Sequence, residues 1–418
     1  MSKYKDVTSP QLRFTRGLDP KNFRTRGGFI HQWVGTHWQR MESSDIESLA
    51  IEWLANNVPE KTTEKCASSS VATAVLLLPD LQLPRKNCIP TLNGTVEISP
   101  AGAVLRESRR IDALDFVIDC GFHENATAPL FDSFIKEALP NGDVRNFLQE
   151  YSGYTLLSDT RHQVAAWLIG QGGSGKGTFA QVMRAVHRQT VALNLEDLDG
   201  FKLASLQSAS LVLVDETPAR IDEQKIKSLI SGDVIQVDIK YRDPVTIRPT
   251  AKWLVNGNSL PSISDHSTGF WRRWLIFPFS VLPAKCTPML AENIIENELA
   301  GVLNWCLEGL VRLLIREKFP PLPEEMQQAI DSGKRSTDNV REWVVDVGIK
   351  ADFSGTSTRR EVYSFYNGWC GESGTRPVSS KKFWERCAVA IPDMKSDRSR
   401  QGGERDYRVN IRVPSDHY

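Results

Sequence analysis

The sequence lacks both a long apolar run and any closely spaced pair of cysteines. Its longest apolar stretch, VATAVLLL from Val71, is too short to span a bilayer, and its amino terminus has no apolar core of a signal peptide. The seven cysteines are scattered with no C-x-x-C pair, so no zinc ribbon or redox motif is expected. Dispersed cysteines of this kind are typical of reduced thiols. We therefore expect a soluble, cytoplasmic protein without a membrane partner.

The chain also lacks an excess of charge of either sign. It has 51 basic and 51 acidic residues among 418, which gives a formal net charge of zero. Binding to nucleic acid therefore cannot be inferred from bulk charge, and any surface for it has to be local. The length is sufficient for two or three domains, and a hydrophobic content of 40% is ordinary for a globular protein.

The pattern of apolar residues divides the chain into three parts. Residues 1–145 mix short helical patterns with loops, and DIESLAIEWLANN predicts an amphipathic helix there. Residues 146–335 alternate short apolar runs with helices, which predicts an α/β domain with buried parallel strands at VAAWLI, SLVLVDE and AKWLVNGN. The polar segment SGKRSTDN, from Ser332, is the expected linker to a small α+β module over residues 338–418.

A glycine-rich loop of the form G-x-x-x-x-G-K follows the first of these strands and precedes a helix. Its glycines let backbone N–H groups turn towards phosphate oxygens, and Lys176 can reach the β- and γ-phosphates of ATP. Gly177 stands where Ser or Thr usually follows the lysine, so Thr178 is the nearby hydroxyl for Mg²⁺. The residues predicted to bind ATP are Gly170, Gln171, Gly172, Gly173, Ser174, Gly175, Lys176, Gly177 and Thr178.

Two acids end the next apolar strand, SLVLVDET. Carboxylates at the carboxyl end of a parallel strand lie beside the phosphate loop of the same sheet. Asp215 is predicted to hold Mg²⁺ through water, and Glu216 is predicted to polarise the attacking water. This pair favours hydrolysis over transfer to a second nucleotide.

The segment after the acids predicts a β-hairpin. Ile235, Val237 and Ile239 alternate with polar residues, YRDP supplies a turn, and VTIR returns. The tip then carries Lys240, Tyr241 and Arg242. Two cations with an aromatic ring could hold a nucleic-acid backbone in a pore, but they also fit a solvent-facing charged hairpin.

Polar residues follow two further apolar runs. Asn256 and Asn258, at the end of KWLVNGN, could sense the γ-phosphate or serve as turn residues. Arg272 and Arg273, in FWRRWLIFPF, could reach the ATP of a neighbouring subunit as an arginine finger, or could be surface arginines.

The carboxyl-terminal module has a local excess of positive charge. Residues 381–412 hold nine Lys and Arg against five acids, with SSKKFWERCAVAI as a predicted helix and KSDRSRQGGERDYRV as a predicted basic hairpin or wing. A helix with a basic wing can contact the phosphates of a DNA duplex, although a solvated charged surface has the same composition. The residues predicted to contact duplex DNA are Lys381, Lys382, Arg386, Arg398 and Arg400.

The order of these motifs resembles the helicase part of phage and plasmid primase–helicases, a branch of the superfamily 3 helicases within the AAA+ class, and their poxvirus relative. The resemblance runs from about Gly28 to Leu322 through the phosphate loop, VLVDE, LISGDVIQVDIKYRDPVTIRPTAKW, NSLP and FWRRWLIFPF. It implies an α/β AAA+ P-loop core over 146–335, a mainly helical N-terminal domain over 1–145, and a winged-helix-like domain over 338–418.

The resemblance also implies roles for single residues. Lys240 corresponds to the lysine on the DNA-contacting hairpin, and Asn258 fits the sensor asparagine better than Asn256. Arg273 is the first choice for the arginine finger and Arg272 the second. The family often has Asn where Ser174 stands and a hydroxyl residue in place of Gly177, and no primase domain is visible in this chain.

Three functions remain open from the sequence. The resemblance implies an ATP-dependent DNA helicase for replication of a mobile element in a bacterial cytoplasm. Such a helicase would be a ring of subunits, with a hexamer expected because the finger acts between subunits, and it would work with a separate primase. The second function is a replication initiator whose ATPase controls only its assembly. The third is a nucleotide kinase, because G-K-G-T also occurs in such kinases.

Overall fold

A computed structural model describes residues 8–196, 198, 200–218, 221–239, 242–261, 263, 268–283, 287–352, 357–375, 377–401 and 404–413. The chain divides into two units. The first consists of residues 1–259 and 269–326, and the second of residues 260–268 and 327–418. No helix among the described residues has the length and apolar character that a membrane crossing requires.

The amino-terminal part of the first unit contains two antiparallel three-stranded sheets, in the orders β1-β2-β3 and β4-β5-β6, besides its helices. The expectation of a mainly helical region is therefore incomplete. These strands have three to six residues each, which is too short for an alternating pattern to stand out. The elements are α1 Pro10–Gly17, β1 Phe23–Arg26, β2 Phe29–Trp33, β3 Trp38–Arg40, α2 Ser43–Asn57, α3 Glu64–Leu77, β4 Cys88–Thr91, β5 Gly94–Ser99, β6 Gly102–Arg106, α4 Pro129–Ala138 and α5 Gly142–Thr155. Helix α2 contains the predicted stretch DIESLAIEWLANN.

A five-stranded parallel sheet forms the centre of the first unit. Its strand order is β13-β7-β12-β9-β8, so β12 lies between β7 and β9. The residues of β9 and β12 are buried, as expected for strands covered on both faces. The elements are β7 Ala165–Ile169, α6 Lys176–Val186, β8 Thr190–Ala192, β9 Leu211–Val214, α7 Glu223–Ser231, β10 Ile235–Ile239, β11 Arg242–Ile247, β12 Lys252–Gly257, α8 Thr268–Trp271, β13 Trp274–Pro278 and α9 Leu290–Arg316. A 3-10 helix, Gly200–Gln207, precedes β9.

Helix α9 fixes α4 and α5 beside this sheet. Glu298, buried on α9, accepts hydrogen bonds from the backbone N–H groups of Leu130 (2.9 Å) and Phe131 (3.0 Å) in the first turn of α4. The carboxylate thus caps a helix whose own N-cap residue, Ala128, has no side-chain oxygen. Arg316 of α9 pairs with the buried Glu150 of α5 at 2.8 Å. These contacts position α4, which forms one wall of the site described below.

The second unit combines helices with a small antiparallel sheet of order β14-β16-β15. The rings of Trp343, Tyr366 and Phe383 pack in its core. Its elements, after α10 Glu324–Thr337, are α11 Asn339–Asp346, β14 Ser357–Thr358, α12 Arg359–Glu372, α13 Ser380–Ala390, β15 Ser396–Gln401 and β16 Glu404–Val409.

The predicted linker from Ser332 is wrong. Residues 332–337 continue α10, and the chain leaves the helix only at Asp338, whose carboxylate accepts from the N–H groups of Val340 and Arg341 at the start of α11. Buried Met326 and Ile330 are four residues apart and give α10 an apolar side. The polar residues that favoured a loop are therefore part of an amphipathic helix.

Candidate nucleotide and DNA site

The glycine-rich loop connects β7 to α6 and curves around the Lys176 side chain. The ammonium group donates hydrogen bonds to the backbone oxygens of Gly170 (2.6 Å) and Gln171 (2.8 Å). Gly173 and Gly175 have φ angles of 82° and 93°, a left-handed conformation that favours glycine. Burial lowers the pKa of Lys176 from its ordinary value. The loop is thus already bent around its cation at the amino end of α6, where a phosphate would be bound.

A cavity of about 280 Å³ lies against this loop. Residues 173–178 form one side, so both Gly177 and Thr178 face it, and Phe134 and Glu137 of α4 form another. Phe134 packs directly on the loop, because a Cβ added to Gly175 would meet its ring at 2.8 Å. The cavity is continuous with the loop, so a ligand with phosphates at Lys176 would have room beside it.

The two acids lie at the same edge of the sheet as the loop. Asp215 and Glu216 follow β9, the loop follows β7, and both strands run parallel to β12 between them. Both side chains are exposed. Together with the Thr178 hydroxyl, the Asp215 carboxylate supplies the oxygen ligands that Mg²⁺ prefers. The residues present therefore fit a magnesium–nucleotide complex.

Thr217 fixes the acidic segment to the sheet, which the sequence did not indicate. Its hydroxyl donates to the backbone oxygen of Asn256 on β12 (3.1 Å) and accepts from the indole N–H of Trp167 on β7 (3.1 Å). The neighbouring Gly257 has no room for a side chain, because a Cβ there would lie 2.1 Å from the Thr217 hydroxyl oxygen. The residue after Glu216 is thereby tied to two neighbouring strands of the sheet, β7 and β12.

The two candidate sensor asparagines differ in environment. Asn256 is 7% exposed on β12, and its Oδ1 has no hydrogen-bond partner among the described residues. Asn258 lies beyond the end of the strand and is exposed. A buried amide oxygen without a partner is unusual and makes Asn256 a second candidate beside the predicted Asn258.

The two candidate finger arginines also differ. Arg273 donates from Nε (3.0 Å) and Nη2 (2.9 Å) to the hydroxyl of Ser231, at the end of α7, and from Nη1 to the backbone oxygen of Gly269. Arg272 is exposed and donates to Gln163 Oε1 at 3.3 Å. Arg273, the first choice from the sequence, thus has three of its donors directed into its own subunit, whereas Arg272 is accessible.

The predicted hairpin is formed by β10 and β11. The strands pair antiparallel, with Ile235 opposite Ile247 and Val237 opposite Val245. Lys240 and Tyr241, at the predicted tip, lie outside the described residues, and the backbone of Arg242 begins β11. DNA contact by these three residues stays a prediction.

The residues predicted to contact duplex DNA lie on two elements of the second unit, the helix α13 and the strand β15. Lys381 and Lys382 are exposed in the first turn of α13. Arg386 on the same helix is 11% exposed and pairs with Asp338 at 3.3 Å, so its guanidinium stabilises the unit itself. Arg398 and Arg400 belong to β15, of which only the backbone is described at those positions.

A buried lysine at the opposite edge of the sheet was missed. Lys252, the first residue of β12, is 2% exposed and donates to the backbone oxygens of Leu157 and Thr250, the latter at 2.9 Å. Burial lowers its pKa to about 7. The sequence contained one signal of this buried lysine, namely its position within the otherwise apolar run AKWLV.

A parallel sheet with a glycine-rich loop after its first strand and two acids after a nearby strand is consistent with a P-loop nucleotide-binding core. Residues 13–140 match the family described as D5 N terminal like, and residues 168–273 match a family of unknown function, DUF5906. These matches confirm the resemblance to the phage, plasmid and poxvirus primase–helicases that was drawn from the sequence.

One curated protein is similar to part of the chain. The chain is 25% identical over 169 residues to a putative helicase, L207/L206, of Acanthamoeba polyphaga mimivirus, a match that covers 37% of this chain and only 18% of that protein. It therefore spans about a fifth of the length of the curated relative it matches.

Solved structures of the NrS-1 C terminal region share the fold. For one apo structure the TM-score is 0.54 at 11% identity, covering 97% of this chain and all of the other. A second apo structure, the A form of residues 305–718 of that protein, gives a TM-score of 0.52 at 12% identity. The match covers 92% of this chain and 94% of the other.

Proposed function

We propose that the chain is the ATP-driven DNA helicase part of a replication protein from a phage, plasmid or other mobile element. The observation that carries the proposal is the position of three groups at one edge of the parallel sheet. Lys176 and its loop lie after β7, the Asp215 and Glu216 pair lies after β9, and the asparagines lie at the end of β12 between them. This is the arrangement needed to cut a phosphoanhydride bond with water.

The residues at this edge would divide the work of hydrolysis. The N–H groups of the loop and the Lys176 ammonium bind the phosphate oxygens and stabilise the charge that develops on them. Asp215 and Thr178 would hold Mg²⁺, which would supply positive charge beside the phosphates. Glu216 orients the water and withdraws its proton as the water attacks the γ-phosphate. Asn258 or Asn256 fixes that water from the side of β12.

Hydrolysis in a ring needs a group from the next subunit. Arg272 or Arg273 is the candidate for this trans-acting charge, and the exposed Arg272 would release one hydrogen bond, to Gln163, whereas Arg273 would release three. The β10–β11 hairpin, with Lys240, Tyr241 and Arg242 at its tip, would hold one DNA strand in the central pore. Movement of the hairpin with each ATP cycle would then carry the strand. A hexamer is the expected ring, and a separate primase would act with it.

The second unit would bind duplex DNA. Its order of helices and strands, with α13 leading into the β15–β16 hairpin, fits a winged-helix-like reader. Lys381 and Lys382 are placed to contact phosphates. Arg398 and Arg400 belong to the strand that would form the wing.

The proposal is tested by ATP hydrolysis with and without single-stranded DNA. We expect DNA to stimulate the wild type, Lys176→Ala to abolish hydrolysis, and Lys240→Ala to remove only the stimulation. Hydrolysis that ignores DNA, with no strand separation, would instead support an initiator whose ATPase controls assembly. Hydrolysis that requires an acceptor nucleotide would support a kinase.

A further inference from the structure

A second cavity, of about 480 Å³, lies at the edge of the sheet opposite the phosphate loop. We call it the basal cavity. Its walls include Thr160, Ser210 and Thr250, which precede β7, β9 and β12, and it is closed on the other side by residues 81–86 and 115–116 of the amino-terminal part. Because it lies at the amino ends of the strands, it is separate from the candidate ATP site at their carboxyl ends.

The larger part of the surface inside the basal cavity is apolar, and its size suits a small ring system. Phe116, Leu157 and Ile247 line it, each less than a tenth exposed. At its rim, the side chain of Leu83 is 89% exposed to solvent. Apolar and aromatic walls of this kind can pack on the faces of a nucleobase without selecting among bases.

The charges around the basal cavity favour an anion at its rim. The two lining acids are neutralised by arginines, Asp115 by Arg26 and Asp159 by Arg161. Lys86 and Arg248 also line the cavity, are exposed, and take part in no ion pair within the part of the chain that the structure describes. Two cations thus remain available beside the apolar interior.

The basal cavity is continuous with the candidate DNA-binding hairpin. Thr246, Ile247 and Arg248 line it, and the first two are the last residues of β11. Arg242 begins the same strand, so four residues, or about 13 Å, separate it from Thr246, the first cavity residue on β11. A strand of DNA held at the tip and following β11 would therefore arrive at the cavity.

We propose that the basal cavity binds single-stranded DNA, with one base in the apolar interior and the two phosphates that flank it at Lys86 and Arg248, one at each. The inference rests on the proposed function, since it assumes that a single strand follows the hairpin. It adds a DNA contact made jointly by the amino-terminal part and the ATPase core. Single-stranded DNA would then hold the hairpin base against residues 81–86.

The phosphate contact is tested by the salt dependence of binding of the full chain to fluorescent oligo(dT) of about twenty nucleotides. Lys86→Gln and Arg248→Gln should each reduce the slope of log K against log [salt] by about 0.7, because each removes one contact with a single-strand phosphate. The control Lys65→Gln, at an exposed lysine of α3 away from the cavity, should leave the slope unchanged.

The base contact is tested with an abasic oligonucleotide of the same length. Wild type should prefer oligo(dT), and Ala209→Leu, which fills the cavity from a lining position, should reduce that preference by about fivefold or more with an unchanged melting temperature. If the Leu variant is destabilised, the two Gln variants decide.

Slopes equal to wild type in both Gln variants would overturn the inference, while weaker binding by Lys240→Ala in the same assay would leave the helicase proposal standing. If the wild type does not bind oligo(dT), both the inference and the proposed function fail. An unchanged preference for bases in a well-folded Ala209→Leu variant would overturn the placement of a base in the cavity.

Discussion

The hydroxyl of Thr217 donates a hydrogen bond of 3.1 Å to the backbone oxygen of Asn256. This bond joins the residue after the acidic pair to the strand beside the phosphate loop. In the proposed reaction this bond would set where Glu216 places a water relative to Lys176, without Thr217 itself touching a phosphate.

We expect Thr217→Val to lower kcat for ATP by about tenfold with little change in KM, because the contacts that bind the nucleotide are retained while the acid loses its support. Thr217→Ser keeps the hydroxyl and should retain most of the activity. Steady-state kinetics on the three proteins make the comparison. Equal kcat values for the Val variant and the wild type would show that the acidic segment is positioned without this bond.

The role of Thr178 as a Mg²⁺ ligand can be tested by removing its hydroxyl and introducing one at position 177. Thr178→Ala should raise the Mg²⁺ concentration needed for half-maximal hydrolysis by about tenfold. A Cβ at Gly177 would meet nothing within 4 Å, so we expect Gly177→Thr to be tolerated. Added to Thr178→Ala, it should restore the wild-type Mg²⁺ requirement. A Thr178→Ala variant with a wild-type Mg²⁺ profile would remove Thr178 from the proposed metal site.

The two candidate arginine fingers can be distinguished by comparing the effects of their variants on activity and on stability. Arg272→Ala should lower ATP turnover by about a hundredfold or more and keep the wild-type melting temperature, because the side chain is exposed. Arg273→Ala should lower the melting temperature, because Ser231 and the Gly269 carbonyl lose their partner. Mixing Arg272→Ala with Lys176→Ala subunits should restore some hydrolysis if the finger acts in trans. The reverse pattern of activity loss would identify Arg273 as the finger.

The buried Lys252 predicts an unusual pH dependence of stability. Its pKa is lowered to about 7 by burial, so between pH 7 and 10 the unfolded chain binds a proton there that the folded chain does not. Burial of the charged form lowers the free energy of unfolding. This loss is complete below pH 7 and disappears as the pH rises towards the ordinary pKa of 10.5. Relative to Lys252→Met, the wild type should gain up to about 1.4 kcal/mol of unfolding free energy per pH unit in this window.

Urea unfolding of both proteins at several pH values measures this difference. Comparing the two proteins removes the titration of other groups, including the cysteines, because both chains share them. If the difference between wild type and Lys252→Met is constant from pH 7 to 10, Lys252 is charged in the folded protein.

The elements that follow from local pattern were predicted well. The apolar runs before Gly170 and Asp215 are β7 and β9, the run ending at Gly257 is β12, and the alternating segment around Val237 is a hairpin strand. Each is a continuous or strictly alternating pattern, which a sequence displays directly.

What the sequence did not reveal depends on contacts between distant residues. Thr217 reaches Asn256, 39 positions away, and Lys252 reaches Leu157, 95 positions away. No local pattern encodes such partners. Arg273 is another example, because its hydrogen bonds to Ser231 on α7, 42 positions away, fix its side chain. Charge and motif order identified the candidates, and only tertiary contacts distinguish between Arg272 and Arg273 or between Asn256 and Asn258.

The bond from the Trp167 indole to the Thr217 hydroxyl has an optical consequence. Trp167 is fully buried, and its ring centroid lies 4.5 Å from that of Trp274. Its hydrogen bond to Thr217 connects it directly to the acidic segment, which would respond to a bound nucleotide. Indole emission responds to the strength of the hydrogen bond at its nitrogen. We therefore expect nucleotide binding at the candidate site to change the ultraviolet fluorescence of the unlabelled protein, by an amount given by the difference between the wild type and Trp167→Phe.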